Sequence, residues 1–256
     1  MLSSIFNTYQ LFLLILIRMS GAILLNPILG RRNIPNLVKA GMTFGLAAAL
    51  TASTTVAVPT FTSVLDFIFK ALIEFAVGYT ISMIMNLFLS TILMAAELID
   101  MQMGIGMSKV FDPSSNLSSP VSGSVYNAFF ILLFFASDGH ITLFKLLSDS
   151  VTAIPCGSAI KLSRAALAVA GMMGSALTLS LKFALPIVAI EFISEVGLGV
   201  LTRAVPHVNV FSVGVQLKLV VGLLVLVILA PLFGGFCDSL YIKMFTEISG
   251  AIRQMM

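Results

Sequence analysis

Nine ionisable side chains lie inside or at the ends of apolar stretches of this 256-residue chain, and their chemistry sets the first question about it. A charged group at the centre of a bilayer costs about 2.5 to 3.5 kcal/mol, so these groups are expected to face protein or water. A transport pathway is one interpretation; pairing between helices, with long side chains reaching the helix ends, is the other. The nine residues are Arg18, Glu74, Glu97, Asp100, Lys182, Glu191, Glu195, Arg203 and Lys218.

The remaining reactive residues do not favour catalysis. His140 and His207 are isolated, and the sequence has no nucleotide-binding, serine-hydrolase or zinc-protease motif. Cys156 and Cys237 stand far apart, without a histidine at ligand spacing, and are expected to be inert apolar thiols. The sequence therefore predicts no enzyme, no cofactor and no metal site.

The composition indicates a chain whose sides are buried in lipid or in other proteins. Apolar residues make up 59% and charged residues 10%, whereas soluble domains have about 25% charged residues. The composition excludes a disordered chain and an autonomous nucleic-acid binder, which need many polar or charged residues. It also excludes a coiled coil, which needs heptads, and a disulfide scaffold, which needs more cysteines. The N-terminal stretch lacks the basic region of a cleavable signal peptide, so we expect it to stay in the mature chain.

Apolar stretches near the 20 residues that span a bilayer predict an all-α, membrane-associated protein. They are 5–29, 40–58, 75–96, 121–137, 165–181, 187–201 and 219–237. Breaks are expected at 33–35, 58–59 and 138–140, where proline or glycine interrupts helix continuation, and Pro186 and Pro231 are expected to interrupt the second half.

One helix is predicted to have a solvated face. In 141–154 an apolar face is formed by Phe144, Leu147, Val151 and Ile154, and a polar face by Lys145, Ser148, Asp149 and Thr152. The basic residues give no consistent topology. Arg31, Arg32 and Lys39 favour one side of the membrane, whereas Lys145, Lys161 and Arg164 fall in a region that the same helix count places opposite.

A serine-rich segment, 108–124, lies between two strongly apolar helices and is flanked by Gly104, Gly106 and Gly123. Connections in compact folds are usually about 4 to 6 residues, and longer ones tend to be functional or disordered. A solvated linker and a re-entrant or mobile element both stay open. Small residues at Gly41, Gly45, Ala48 and Ala49 form a separate helix face that favours close helix packing.

Three blocks of sequence resemble the flagellar biosynthetic protein R (FliR) family and its relative in virulence type III secretion systems. The first has Arg18, Asn26-Pro27, Ile34-Pro35 and Lys39; the second runs from Glu97 to Gly104 and includes Asp100 and Gln102, with Asp112-Pro113 after it. The third, from Leu198 to Gly214, includes Arg203, Pro206, Asn209 and Phe211 and resembles an Arg-x-x-Pro-Gln-x-Asn-x-Phe signature in which His207 replaces the glutamine.

The resemblance implies a part similar to the P subunit, residues 1–174, fused to a helical hairpin similar to the Q subunit, residues 175–256. It implies one subunit of a helical ring with P and Q subunits, contacts with the switch protein B, unfolded export substrates and membrane lipid, and no nucleic acid. The place implied is the bacterial inner membrane at the flagellar basal body.

The resemblance also implies roles for particular residues. A pore plug within 106–122 would comprise Gly106, Met107, Ser108, Asp112, Pro113, Ser114, Ser115, Asn116, Leu117, Ser118, Ser119 and Pro120. A hydrophobic gasket would use Met101, Met103 and Met107, although in this family it is expected mainly from the P subunit. Family-motif and assembly positions would be Arg18, Pro27, Pro35, Lys39, Glu97, Asp100, Gln102, Gly104, Glu195, Arg203, Pro206, Asn209 and Phe211.

A second hypothesis, from another class, is a secondary transporter or ion channel with sites at Glu74, Lys182 and Glu191. It predicts an internal repeat of broken helices, and the sequence shows none clearly.

Overall fold

The computed structural model describes residues 2–54, 61, 63–106, 120–158, 160–204 and 210–256. Across these ranges all regular structure is α-helical, which confirms the predicted fold class. The helices are α1 (Leu2–Leu24), α2 (Asn36–Ser53), α3 (Val64–Gln102), α4 (Val121–Ala136), α5 (Gly139–Ala153), α6 (Leu162–Ala204), α7 (Val210–Ile228) and α8 (Ala230–Met255).

The chain divides into two compact units, each assembled from separate segments. The first unit comprises Met1–Phe88, Ser137–Met173 and Ile242–Met256; the second comprises Leu89–Ala136 and Gly174–Tyr241. Compact units defined by contacts do not test a fusion of two ancestral parts, so the division at residues 174 and 175 stays a prediction.

In the first unit, α1 and α3 cross at two glycines. A Cβ atom on Gly78 would collide with the carbonyl oxygen of Arg18, and one on Gly21 would lie 2.7 Å from the carbonyl oxygen of Phe75. The Ser82 hydroxyl then donates to the carbonyls of Gly21, at 3.0 Å, and Ala22, at 2.9 Å. Backbone therefore packs directly on backbone at this crossing, because neither helix has a side chain there.

Helix α1 ends at Leu24, earlier than the predicted apolar stretch to residue 29. The physical reason is Asn26, whose Oδ1 accepts from the backbone N–H groups of Ile28, at 2.8 Å, and Leu29, at 3.0 Å. Such an Asx turn competes with the helical hydrogen bonds. The predicted break at 33–35 is confirmed, since α2 begins directly after Pro35.

Helix α5 has the predicted solvated face. Leu147 and Val151 are fully buried, whereas Lys145, Asp149 and Thr152 are exposed. The helix begins at Gly139, inside the predicted break at 138–140 and directly after Asp138, whose φ of 56° is left-handed.

In the second unit, aromatic side chains form much of the core. The Tyr126 ring lies 4.6 Å from that of Phe233, and the Phe183 ring lies 4.5 Å from that of Phe236. The Tyr241 hydroxyl donates to the carbonyl oxygen of Phe130. These contacts join α4, α6 and α8 within the unit, and the phenol's polar end is satisfied by backbone.

The two prolines of the second half behave differently, which corrects the prediction that both interrupt it. Pro186 lies inside α6, which continues without a break from Leu162 to Ala204. An internal proline removes one hydrogen bond, and neighbouring groups in apolar helices compensate for this. Pro231 does separate two helices, because it lies in the first turn of α8, after a 60° bend at Leu229.

Helices long and apolar enough to cross a membrane are present, as predicted. Among the described residues they are Val64–Gln102 and Ser163–Leu201, and by length and composition up to four spans are possible if the bent pairs α4–α5 and α7–α8 each count as one.

Candidate functional site

The candidate site is where α3 ends and α4 begins, on either side of the serine-rich segment. After α3, Gly104 has a φ of 81°, a backbone conformation that L side chains rarely adopt. The chain turns back there, and the N–H of Gly106 donates to the carbonyl oxygen of Asp100 at 3.1 Å. The segment's first end is thus fixed to the last turn of α3.

The Asp100 carboxylate fixes the second end. Both of its oxygens accept from the backbone N–H of Ser122 in the first turn of α4, at 3.3 and 3.4 Å. The Ser122 hydroxyl donates to the carbonyl oxygen of Ala96 at 3.3 Å. A carboxylate at a helix N-terminus is stabilised by unpaired N–H groups and by the helix dipole. Asp100, which is 4% exposed, therefore holds both ends of the segment.

Glycine permits this close approach of α4 to α3. A Cβ on Gly123 would lie 3.1 Å from the Cβ of Ala96, which is tighter than most contacts of that kind. Of the predicted plug residues, Gly106 and Pro120 lie at the two fixed ends. Those outside the described residues are Met107, Ser108, Asp112, Pro113, Ser114, Ser115, Asn116, Leu117, Ser118 and Ser119.

The methionines suggested for a gasket are not in equivalent environments. Met101 is 67% exposed, whereas Met103 is fully buried and packs at Gly222 of α7. Met107 lies outside the described residues. The structure thus separates an exposed methionine at the end of α3 from a core methionine.

A group of polar side chains connects α3, α6 and α7 in the second unit. Lys218 Nζ binds Glu195 Oε1 at 3.0 Å, and Gln102 Nε2 donates to Glu195 Oε2 at 3.4 Å. Glu191, one helical turn before Glu195, is fully buried. Glu191 and Glu195 thus pack towards α7, and the sequence had not identified Lys218 as the partner of Glu195.

In the first unit a buried ion pair joins α1 to α3. Arg18 Nε donates to Glu74 Oε2 at 2.5 Å, and the two side chains are 0% and 1% exposed. The guanidinium also donates to the carbonyl oxygens of Ser150, at 2.6 Å, and Ile154, at 2.8 Å. Glu74 Oε1 accepts from the N–H of Gly157 at 2.9 Å. Pairing between helices, one of the two interpretations of the apolar-stretch charges, is therefore correct for these two residues.

The remaining motif residues occupy turns and helix ends. Lys39 is buried and donates from Nζ to the carbonyl oxygen of Gly30 at 2.9 Å, which fixes the turn that contains Pro27 and Pro35. Glu97 is exposed on α3, and Arg203 is exposed in the last turn of α6. Pro206 and Asn209 lie outside the described residues, and Phe211 is placed in α7 by its backbone.

The three charges of the transporter hypothesis have different surroundings. Glu74 is paired with Arg18 and accepts a hydrogen bond from Gly157. Lys182 is exposed on α6, and Glu191 is buried in the second unit. Glu74 is therefore a structural ion-pair partner.

Sequence comparison gives the class to which this fold and site belong. The profile of the bacterial export proteins, family 1, matches residues 9–244. The chain is 32% identical to the flagellar biosynthetic protein FliR of Escherichia coli K12, over 94% of this chain and 92% of that protein. The FliR of Pectobacterium carotovorum is 31% identical over 93% and 91%, and that of Bacillus subtilis 27% over 89% and 88%.

The chain therefore belongs to the FliR family of flagellar biosynthetic proteins, within the bacterial export proteins. It is a membrane-embedded subunit of the flagellar export apparatus, and the family is not a known enzyme family. The motif residues of the resemblance fall within or beside the elements described above.

Proposed function

We propose that this chain is the R subunit of an export gate in the bacterial inner membrane. It closes a helical ring with P and Q subunits, and the ring passes unfolded flagellar proteins outward. The proton motive force and an ATPase, supplied by other components, drive export, and the switch protein B binds the assembled gate. A plug within residues 106–122, which includes most of the serine-rich segment, closes the pore until substrate displaces it.

The exposed apolar surface of α6 carries the assembly part of this proposal. In the apolar span Ser163–Leu201, only 22% of the most apolar window is buried within the chain. Leu185, Phe192 and Ile193 are each more than half exposed. A span of 39 residues rises about 58 Å, roughly twice the 30 Å of a hydrocarbon core. Lipid can cover only part of such a helix, so the rest needs protein partners.

The small-residue face of α2 supports assembly independently. A Cβ on Gly41 or Gly45 would meet no atom of the described chain within 4 Å. Ala48 and Ala49 on the same helix are also exposed. Small residues allow helix backbones to approach closely in membranes, so this face suits a neighbouring subunit.

The anchoring at Asp100 supports the plug. A displaceable plug needs firm ends and a middle that has no strong preference for one packing. The two ends are fixed by the hydrogen bonds of Gly106 and Ser122 to Asp100. Five serines and one asparagine lie among the 15 residues between them, and such side chains bond water as readily as protein.

Assembly is tested by co-expression with the P and Q subunits. We expect a tag on this chain to recover all three proteins as one complex of defined mass. Expressed alone and purified in detergent, the chain is expected to fold but to bind added P and Q subunits. Purification of the lone chain as a stable, monodisperse monomer that ignores added P and Q subunits would show that obligate assembly is wrong.

The plug is tested by deleting residues 114–118 in the co-expressed complex and measuring small-ion leakage across the membrane. These five residues leave Pro120 in place, whose carbonyl oxygen accepts from Ser124 N–H at 3.0 Å. We expect increased leakage. The matched control replaces the same five residues by glycine and serine, which keeps the length and should stay sealed. A deletion variant that assembles normally and does not leak rules out the plug and leaves the assembly intact.

A further inference from the structure

Glu191 is a buried carboxyl group that the proposed export function does not use. Its side chain on α6 is 0% exposed. Within the part of the chain that the structure describes, neither Oε1 nor Oε2 has a hydrogen-bond partner. A buried carboxylate without a partner is costly by several kcal/mol or more, and such a group normally takes up a proton instead.

The Glu191 side chain faces Gly222 of α7 and the apolar side chain of Met103. A Cβ on Gly222 of α7 would lie 2.8 Å from Glu191 Oε1, and 2.5 Å from the terminal methyl carbon of Met103. Gly222 therefore makes the space in which the carboxyl group lies, and Met103 closes it. The hydroxyl of Ser194, one turn further along α6, is also without a hydrogen-bond partner among the described residues. Gly222 and Met103 offer no donor, and the Ser194 hydroxyl makes no hydrogen bond to the Glu191 carboxylate.

The charged groups that act on Glu191 are Lys218 on α7 and Glu195 on α6. Lys218 Nζ is already bound to Glu195 at 3.0 Å, and Glu195 repels a second negative charge. The end of α3 presents Met103 to this site, and its Gln102 donates to Glu195. Lys218 is thus paired with Glu195, which is half exposed, and the buried Glu191 has no cation bound to it within the described residues.

We propose that Glu191 is a proton-binding site whose deprotonation draws Lys218 away from Glu195. The O–H bond of Glu191 breaks, the proton passes to water, and the new carboxylate takes Lys218 as its counter-ion. Residues 191 and 195 are one turn apart on α6, and 218 and 222 are one turn apart on α7. Lys218 therefore reaches either carboxylate from one helix position, and the released Glu195 is solvated because its side chain is 50% exposed.

The proposal does not depend on the proposed gate, and infrared spectroscopy of the full chain in detergent tests it. A protonated carboxyl group has a C=O stretch that is distinct from the carboxylate bands and shifts in heavy water. We expect this band at about pH 7 in the unsubstituted protein. Glu191→Gln, which is nearly isosteric, should remove the intensity of one carboxyl group. Glu195→Gln, on the same helix one turn away, should remove none of it.

A second variant covers the case in which Glu191→Gln does not fold. Lys218→Gln removes the counter-ion that the deprotonated state needs, so the carboxyl band should persist to a higher pH than in the unsubstituted chain. The proposal is overturned if the band is absent near neutral pH, or if Glu195→Gln removes as much of it as Glu191→Gln. It is also overturned if Lys218→Gln leaves the pH dependence of the band unchanged.

Discussion

Arg18 and Glu74, 56 positions apart in the sequence, form an ion pair that is closed off from solvent and completed by backbone groups. The guanidinium binds the carbonyl oxygens of Ser150 and Ile154 at the end of α5, and the carboxylate accepts the N–H of Gly157. One pair of side chains thus joins α1, α3 and the connection that follows α5. Because every charge is matched by hydrogen bonds, both desolvated ions are tolerated.

Removing one member of this pair is expected to be strongly destabilising. Arg18→Met leaves the Glu74 carboxylate buried without its cation, which should lower the free energy of unfolding by about 3 to 5 kcal/mol. Thermal unfolding in detergent measures the loss. The double variant Arg18→Met/Glu74→Met should lose less than Arg18→Met alone, since it leaves no unpaired charge.

The control is the partly exposed pair of Lys70 and Asp66 on α3, at 3.0 Å with side chains 20% and 28% exposed. Lys70→Met should cost under about 1 kcal/mol. A result in which Arg18→Met costs no more than Lys70→Met would contradict the structural role of the buried pair.

The sequence predicted the presence of these charges but not their partners. Helical periodicity and turn residues predict where α5 begins and which face it buries, because both are local properties. The pairing of Arg18 with Glu74 depends on how α1 crosses α3, and the crossing depends on Gly21 and Gly78, which meet only in the fold. The carbonyl acceptors at Ser150 and Ile154 have no side-chain signature at all.

The candidate site was also predicted in part. The residues alone identified the serine-rich segment and placed Asp100 at the end of an apolar stretch, and the family resemblance implied their roles, whereas the hydrogen bonds that connect them could not be predicted. Ser122 N–H reaches the carboxylate only because α4 packs on α3 at Gly123. Likewise, proline alone did not decide where a helix breaks, since Pro186 lies within a helix whereas Pro231 lies in the first turn after a break.

The crossing of α1 and α3 at Gly78 predicts that alanine there changes the stability in the opposite direction to alanine at Gly45. Gly78→Ala forces a methyl group onto the Arg18 carbonyl and should cost about 1 to 3 kcal/mol, the usual range for overpacking. Gly45→Ala on α2, where nothing lies within 4 Å, should be neutral or stabilise the helix by up to about 1 kcal/mol. Thermal unfolding of the two variants compares them directly. Equal effects would argue against the close approach of α1 and α3.

A bulkier residue at Gly45 tests the small-residue face. Gly45→Leu should leave the thermal stability of the lone chain unchanged, because the position is open in the described structure. If a sister subunit packs there, the same substitution should reduce co-purification with the P and Q subunits several-fold. Lys145→Leu, on the solvated face of α5, adds the same side chain elsewhere. A complex that forms equally well with both variants would remove α2 from the interface.

Asp100→Asn tests the fixed ends of the serine-rich segment. The amide oxygen can still accept from Ser122 N–H but loses the negative charge that stabilises the first turn of α4, which should cost about 0.3 to 1 kcal/mol. If the segment plugs a pore, the assembled complex should also leak ions. Ser124→Ala, which removes only a neutral hydroxyl contact with the Pro120 carbonyl at 3.3 Å, should leak less. Normal stability and a sealed membrane in Asp100→Asn would show that this carboxylate does not anchor the segment.

The Cys156 thiol is expected to be unreactive while the protein is folded. It is 3% exposed in the connection after α5, and burial raises its pKa to about 12, a shift that Glu74 supports and Arg18 opposes. The thiolate is the reactive form of cysteine, and an ordinary thiol has a pKa of about 8.5. At pH values near 8.5 the thiolate fraction of Cys156 should therefore be about 10³-fold lower than that of an ordinary cysteine. Maleimide labelling of Cys237→Ser, in which Cys156 is the remaining cysteine, measures the rate.

The control variant, Asp149→Cys in a background without Cys156 and Cys237, places a thiol on the exposed face of α5 and should label readily. Labelling of both proteins at similar rates before unfolding would mean that Cys156 is accessible and that the burial described around Arg18 is wrong.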